Sequence, residues 1–285
     1  MSGMQVSPRR ALAWLGAGAL VLLLAGLAVH VTGANAALLL LAHAEAPSWF
    51  STLAWSSITV LGLGWCALIL VLAADRGAGW LAALLLPSFL IGGLLTHAPK
   101  RLLAMPRPAS TELASQMHVI GETFRGPVSM PSGHSVTAMA MVALLCLAVP
   151  PGRPAWRVLL LVAGALMAAS RVVVGAHWPA DVLVGSGLGL LSVALCLAAI
   201  QGGLGQRLHA SLARRIRSRN GQRCVALAEV LGAAGLLAER HGYPAAQPMV
   251  IAIAVLACIS AIWRWRAARE AGAQPPLPDV PAERT

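Results

Sequence analysis

Residues 158–200 read VLLLVAGALMAASRVVVGAHWPADVLVGSGLGLLSVALCLAAI. Two apolar runs, Val158 to Val174 and Val182 to Ile200, flank a hinge that carries Ser170, Arg171, His177, Pro179 and Asp181. A helix rises 1.5 Å per residue, so roughly 20 apolar residues cross a hydrocarbon core about 30 Å thick. Each run is therefore a membrane span. Pro179 suits the first turn of the second, because its missing N–H is one of the donors a helix start leaves unpaired. The hinge is a place where ionisable groups meet the bilayer, and such groups usually have a partner and a function.

The same reading extends outward to Ala11–Val31, Leu53–Ala74, Trp80–Thr96 and Ser132–Val149, which makes six crossings. The chain of 285 residues is 58% hydrophobic and 11% charged, with mean hydropathy +0.75. Soluble domains are about 25% charged, so a soluble body is excluded. Beyond the sixth span, residues 224–238 form a shorter apolar run containing Glu229, and residues 246–263 a longer one. They read as a helical hairpin or as one span plus an interfacial helix. The predicted fold class is an all-α integral membrane helical bundle, with six core transmembrane helices and an additional C-terminal helical pair. The predicted organisation is residues 1–200 as the six-helix membrane domain, 201–269 as a basic linker plus one or two further helices, and 270–285 as a disordered tail. Arg9 and Arg10 ahead of an apolar stretch, with Ala34-Asn35-Ala36 after it, resemble a signal peptide. The stretch exceeds the 7 to 15 residues typical of such peptides, which favours a retained span.

Five cysteines lie inside apolar blocks without CxxC pairs, so neither a disulfide framework nor a metal site is implied. The net charge of +11 lacks aromatic interleaving and flanks the hydrophobic blocks, which argues for membrane topology rather than nucleic acid. Cytoplasmic loops carry the excess of Lys and Arg. Arg9 and Arg10, Arg76, Arg153 and Arg157, and the cluster from Arg207 to Arg223 all fall on one side of a six-span count. Arg264, Arg266 and Arg269 join them if residues 224–263 cross twice.

The loop 97–131 breaks that rule, since it lies on the opposite side yet holds Lys100, Arg101, Arg107 and Arg125. Lys100 is the sole lysine of the chain. Three constellations emerge on this face: Lys100 with Arg107-Pro108, then Pro131-Ser132-Gly133-His134, then Ser170-Arg171 with His177 and Asp181. Lys100, Arg107 and Arg171 supply positive charge suited to a phosphoryl group. Ser132 and Gly133 stand at a helix N-terminus, where free N–H groups attract anions. Asp181, four residues after His177, can accept from one imidazole nitrogen and leave the other free to attack phosphorus. His134 can serve as general acid for the leaving oxygen and later as base for water.

This ordered set resembles the signature of the type 2 phosphatidic acid phosphatase superfamily, which also includes vanadium haloperoxidases and soluble bacterial acid phosphatases. The resemblance covers residues 100–181 by motif and about 11–200 by layout; the segment from Gln201 departs from it. It implies His177 as nucleophile, Asp181 as its support and His134 as acid, with Lys100, Arg107, Ser132, Gly133 and Arg171 binding phosphate. It implies no metal and no cofactor. The expected activity is hydrolysis of a lipid phosphate or pyrophosphate within the bilayer, through a phosphohistidine, at the periplasmic face of a bacterial inner membrane. The family's substrates include undecaprenyl pyrophosphate, phosphatidylglycerol phosphate, phosphatidic acid and lipid A phosphates. Two other readings use the same pocket: a phosphotransferase with a lipid acceptor, and a non-catalytic lipid-phosphate binder or transporter.

Other polar residues carry blander expectations. His30, His43, His97 and His118 lack carboxylates at helical spacing and read as interfacial or loop residues. Glu229 is expected on an interfacial helix, solvated. Trp49, Trp55, Trp80, Trp156, Trp178 and Trp263 read as interface anchors.

Overall fold

The computed structural model describes residues 7–270, and these are helical without a strand. The helices are α1 Pro8–Val31, α2 Asn35–Trp49, α3 Thr52–Val60, α4 Gly64–Asp75, α5 Trp80–Leu103, α6 Gly133–Ala148, α7 Pro154–Val173, α8 Pro179–Ala199, α9 Gly203–Arg217, α10 Arg219–Ala238 and α11 Gln247–Glu270. Short 3-10 turns occupy Pro108–Ser110, Glu112–Gln116 and Pro244–Ala246. The tail expected to be disordered lies, from residue 271 on, outside the described residues. Six helices, α1, α5, α7, α8, α10 and α11, are long and apolar enough to cross a membrane, and α3 with α4 forms a bent pair that qualifies as a seventh span. The apolar helix α6 has 16 residues. Among the described residues these apolar helices make it a multi-pass membrane protein.

α6 sits in the middle, touching α4, α5, α7 and α8, and is buried on almost every side. A helix apolar all round belongs in such a position. Glycines let its neighbours close on it. A Cβ at Gly185 of α8 would lie 2.5 Å from the Ser132 carbonyl oxygen, and one at Gly189 would lie 2.5 Å from that of Val136. Between membrane helices, where lipid is as apolar as leucine, close backbone approach of this kind supplies the packing energy.

Several boundaries differ from the sequence reading. The span expected over Leu53–Ala74 is broken at residues 61–63, with α3 and α4 bent by 69°. Gly62 occupies the break, where a Cβ would meet the His134 carbonyl oxygen at 3.4 Å. α5 runs past the expected Thr96 to Leu103, so Lys100 rides on its last turns rather than on a loop. α2 was not anticipated, and it buries His43, whose Nδ1 meets the His118 carbonyl at 3.1 Å. His43 is therefore a packed residue.

α9 carries Arg207, Arg214, Arg215 and Arg217 and buries no residue fully. It crosses the start of α5, where the Ala213 carbonyl approaches Gly79 and the His209 ring nitrogen meets the Trp80 carbonyl at 3.3 Å. Its basic, amphipathic sequence is of the kind that lies along a membrane interface. α10 and α11 pair with each other and return the chain to the arginine-rich end. Here Glu229 departs from expectation. It is wholly buried, with Oε1 3.1 Å from Arg264 Nε and 2.7 Å from Ser260 Oγ. Arg264 also donates to Gln222 Oε1 at 2.7 Å and to the Leu72 carbonyl. A carboxylate at that depth is too costly unsatisfied, and a pairing partner on α11 replaces the water an interfacial position would have supplied.

Candidate active site

The three motif segments meet at the end of the bundle opposite α9. The α7–α8 hinge is tied by backbone bonds, with Val174 N donating to Ser170 O at 2.8 Å and both Ala176 N and His177 N donating to Arg171 O at 3.1 Å. These bonds turn the chain through Gly175, whose φ of 78° favours glycine. Asn35 Oδ1 accepts from Ala180 N at 3.0 Å, and Asp181 Oδ2 accepts from Trp178 N at 3.0 Å, so the start of α8 is capped twice. The hinge thereby points His177 inward, where it is 2% exposed.

His177 Nδ1 lies 3.2 Å from Asp181 Oδ2. The same carboxylate oxygen accepts from the hydroxyl of Ser129, which also lies 3.4 Å from Nδ1. Three donors converge on one oxygen. With the Nδ1 proton held there, the Nε2 lone pair faces Arg107, whose Nη1 is 3.4 Å away. Burial first, then Arg171, Arg107 and Lys100, hold the His177 imidazole well below its ordinary range and keep it neutral.

Arg107 is fixed by donating to the Ala176 carbonyl at 2.8 Å, and its own N–H donates to the Gly126 carbonyl at 3.0 Å. Arg171 is 2% exposed, and its Nη1 donates to Thr59 Oγ1 and to the Tyr243 hydroxyl, each at 2.8 Å. Its Nε has no partner among the described residues. Both guanidinium groups stand 5.8 Å from the ring centre of Phe124. Ser132 caps α6, its Oγ accepting from Ser135 N at 3.4 Å and Ser135 Oγ at 2.9 Å, while Ser132 N donates to the Asp181 carbonyl at 3.0 Å. That bond ties the two motif helices together. Gly133 and His134 form the open first turn of α6, and His134 is half-buried. Lys100, also half-buried, lies with Gly133 along a groove of about 210 Å³ between α5 and α6, lined further by Phe89, Gly92, Gly93 and Thr96.

Sequence reasoning named Lys100, Arg107, Ser132, Gly133, His134, Arg171, His177 and Asp181, and the fold gathers them at one end. It missed Ser129, Thr59, Phe124 and Tyr243, which hold those residues. Tyr243 had a signal, being the only tyrosine in the chain as Lys100 is the only lysine. Trp178, read as an interface anchor, is instead 8% exposed and donates from Nε1 to the Pro106 carbonyl at 2.8 Å, which brings the Arg107 segment to the hinge. Among the described residues no three His, Cys, Asp or Glu side chains cluster as metal ligands.

A buried neutral imidazole oriented by a carboxylate, facing fixed cations and an open helix N-terminus, can attack an anionic phosphorus centre. Comparison with known proteins finds similarity over the same segment of the chain. The family model of the PAP2 superfamily matches residues 81–203. The chain is 32% identical over 117 residues to a lipid A 1-phosphatase of Rhizobium etli, covering 39% of this chain and 46% of that protein. It is likewise 32% identical over 117 residues to a lipid A 1-phosphatase of Rhizobium johnstonii, covering 39% and 44%. The match thus spans less than half the length of these relatives. No solved structure matches the chain significantly. The matched segment holds α5 to α8 and with them every motif residue of the site, and over that segment the chain is similar to the PAP2, or type 2 phosphatidic acid phosphatase, superfamily.

Proposed function

We propose that this protein is a membrane lipid-phosphate phosphatase that works through a phosphohistidine on His177. The observation that carries the reading is the His177 geometry: Nδ1 on Asp181 at 3.2 Å, and Nε2 turned to the cation Arg107 at 3.4 Å. In the first step the Nε2 lone pair forms the N–P bond while the P–O bond to the lipid breaks, and His134 gives the leaving oxygen its proton. In the second, water attacks phosphorus, gives a proton to His134 and releases the N–P bond, so that the enzyme is restored with inorganic phosphate as product. Lys100, Arg107, Arg171 and the first N–H groups of α6 carry the charge that develops on the equatorial oxygens.

The groove between α5 and α6 supports a lipid as substrate. It runs along apolar and small side chains to Lys100 and Gly133, so an acyl or isoprenoid chain lying in it sets its phosphate at the cradle. The arginine-rich ends of the helices face the cytoplasm by the positive-inside rule, which turns the site to the periplasmic side of a bacterial inner membrane. Because the relatives are lipid A 1-phosphatases, the 1-phosphate of lipid A is the first substrate to try, with phosphatidic acid, phosphatidylglycerol phosphate and undecaprenyl pyrophosphate beside it.

The test is release of inorganic phosphate from these four lipids by purified protein in detergent containing EDTA. Wild type is expected to turn over at least one of them. His177→Ala is expected to lose turnover and the acid-labile phosphoenzyme together, and phosphate release surviving in that variant would refute the mechanism.

A further inference from the structure

The PAP2 match ends at residue 203, yet the segment beyond it reaches back to the site. Tyr243, in the turn between α10 and α11, is 2% exposed and accepts a hydrogen bond from Arg171 Nη1 at 2.8 Å. Thr59 of α3 accepts from the same nitrogen at 2.8 Å. The guanidinium carbon of Arg171 stands 5.7 Å from the Tyr243 ring centre, and the Phe124 ring lies 6.1 Å from that of Tyr243. One nitrogen of the fork is thus fully engaged by Thr59 and Tyr243. The unpartnered Nε leaves the Nε–Nη2 edge, the planar face suited to two phosphate oxygens.

The turn that presents Tyr243 is itself fastened. Glu122 N donates to the Gly242 carbonyl at 2.8 Å, and Gly121 and Gly242 adopt φ of 78° and 79°. A Cβ at Gly121 would fall 2.5 Å from the Gly242 oxygen and 2.6 Å from the Tyr243 ring, so only glycine lets the two loops meet. Tyr243 N donates to His241 Nδ1 at 3.1 Å, which sets the ring stack below it. Below the turn, the Glu229–Arg264 pair locks α10 to α11 and reaches α4 through Leu72. A rigid hairpin therefore delivers one hydroxyl to one guanidinium nitrogen.

We infer that Tyr243 is a positioning residue for phosphate, and that the C-terminal hairpin completes the active site by holding Arg171 so that its Nε–Nη2 edge faces the phosphoryl oxygens. The inference rests on the phosphatase reading for its chemistry. Thr59 and Tyr243 accept the side-chain hydrogen bonds of Arg171 among the described residues, and a cation held by two anchors loses its bidentate alignment when one goes. Tyr243 and Thr59 share the task, so removal of both is expected to cost more than the product of the single losses.

Purified full-length Tyr243→Phe, Thr59→Val and the double variant are compared with wild type by kcat/KM on the best lipid substrate, by inhibition with orthovanadate and by thermal unfolding. Tyr243→Phe keeps the ring and removes only the hydroxyl. It is expected to lower kcat/KM about 5- to 20-fold and to weaken orthovanadate inhibition by a similar factor, with Tm within about 2 °C. In an Arg171→Lys background, which has no Nη1, the same change is expected to cost less than about twofold. A Tyr243→Phe effect within twofold of wild type on both readouts overturns the inference, and so does an equal effect with and without Arg171. If wild type hydrolyses none of the lipids but is stabilised by orthovanadate, the proposed function fails. The Tyr243 assignment is then decided by whether Tyr243→Phe abolishes that stabilisation, and an unchanged shift overturns it.

Discussion

Replacing Asp181 by asparagine changes one atom's charge at the point where three donors converge. Asp181 Oδ2 accepts from His177 Nδ1, Ser129 Oγ and Trp178 N. A hydrogen bond to a charged acceptor is worth about 1.5–3 kcal/mol and a neutral one about 0.5–1.5, so each of the three weakens by about 1 kcal/mol. The larger effect is on the tautomer. If the asparagine turns its NH₂ toward Nδ1, the imidazole must carry its proton on Nε2, the atom that faces Arg107 and should attack. If it turns its oxygen there, the carboxylate charge that would steady the proposed cationic phosphohistidine is gone. Together these amount to about 10²- to 10⁴-fold in kcat, the range set by loss of the orienting carboxylate in hydrolytic triads. The assay is single-turnover and steady-state phosphate release by Asp181→Asn, alongside His177→Ala and the double variant. Since the pair acts as a unit, the double variant should be no slower than His177→Ala. An Asp181→Asn enzyme within threefold of wild type, or a double variant much slower than either single, would refute the proposed role.

The other predictions concern pH, the hairpin and the helix contact. Burial and the neighbouring cations Arg171, Arg107 and Lys100 lower the His177 pKa, so the acid limb of kcat/KM should lie below the ordinary histidine range, and Arg107→Gln should move it upward in a pH–rate profile. For stability the sign follows from proton uptake. The unfolded chain protonates this histidine near pH 6.5 and the native chain does not, so His177 makes stability fall as pH drops below about 6.5, and His177→Gln should flatten that slope in unfolding curves. Glu229→Gln leaves Arg264 buried without its countercharge and should cost about 3–5 kcal/mol in detergent unfolding, whereas Glu229→Leu with Arg264→Met should recover most of it. Gly185→Ala sets a methyl 2.5 Å from the Ser132 carbonyl, forcing α6 and α8 apart, and a shift of about 1 Å between cradle and nucleophile should lower kcat about 10²-fold with bound phosphate less affected.

Apolar run length was enough to determine the all-α membrane class, and the order of the runs put the three motifs at one end of the bundle, because a bilayer forces each apolar run to be a helix. The motif residues were legible for the same reason, since charged groups at span ends are few and stand out. Lys100, Arg107, His134, Arg171, His177 and Asp181 needed no coordinates to be named together. Local pattern carried no information on which groups hold them. Ser129, Thr59 and Tyr243 are ordinary polar residues 48, 112 and 72 positions from the histidine or arginine they serve. Their pairing depends on the bend at Gly62, the glycine contacts of α6 with α8 and the return of the C-terminal hairpin. Glu229 shows the same limit: sequence sees a carboxylate in an apolar run, while its burial beside Arg264, 35 residues away, exists only once α10 and α11 pack. The bilayer makes the helices a one-dimensional problem, but satisfying their buried charges is a three-dimensional one, and that part the tertiary structure decided.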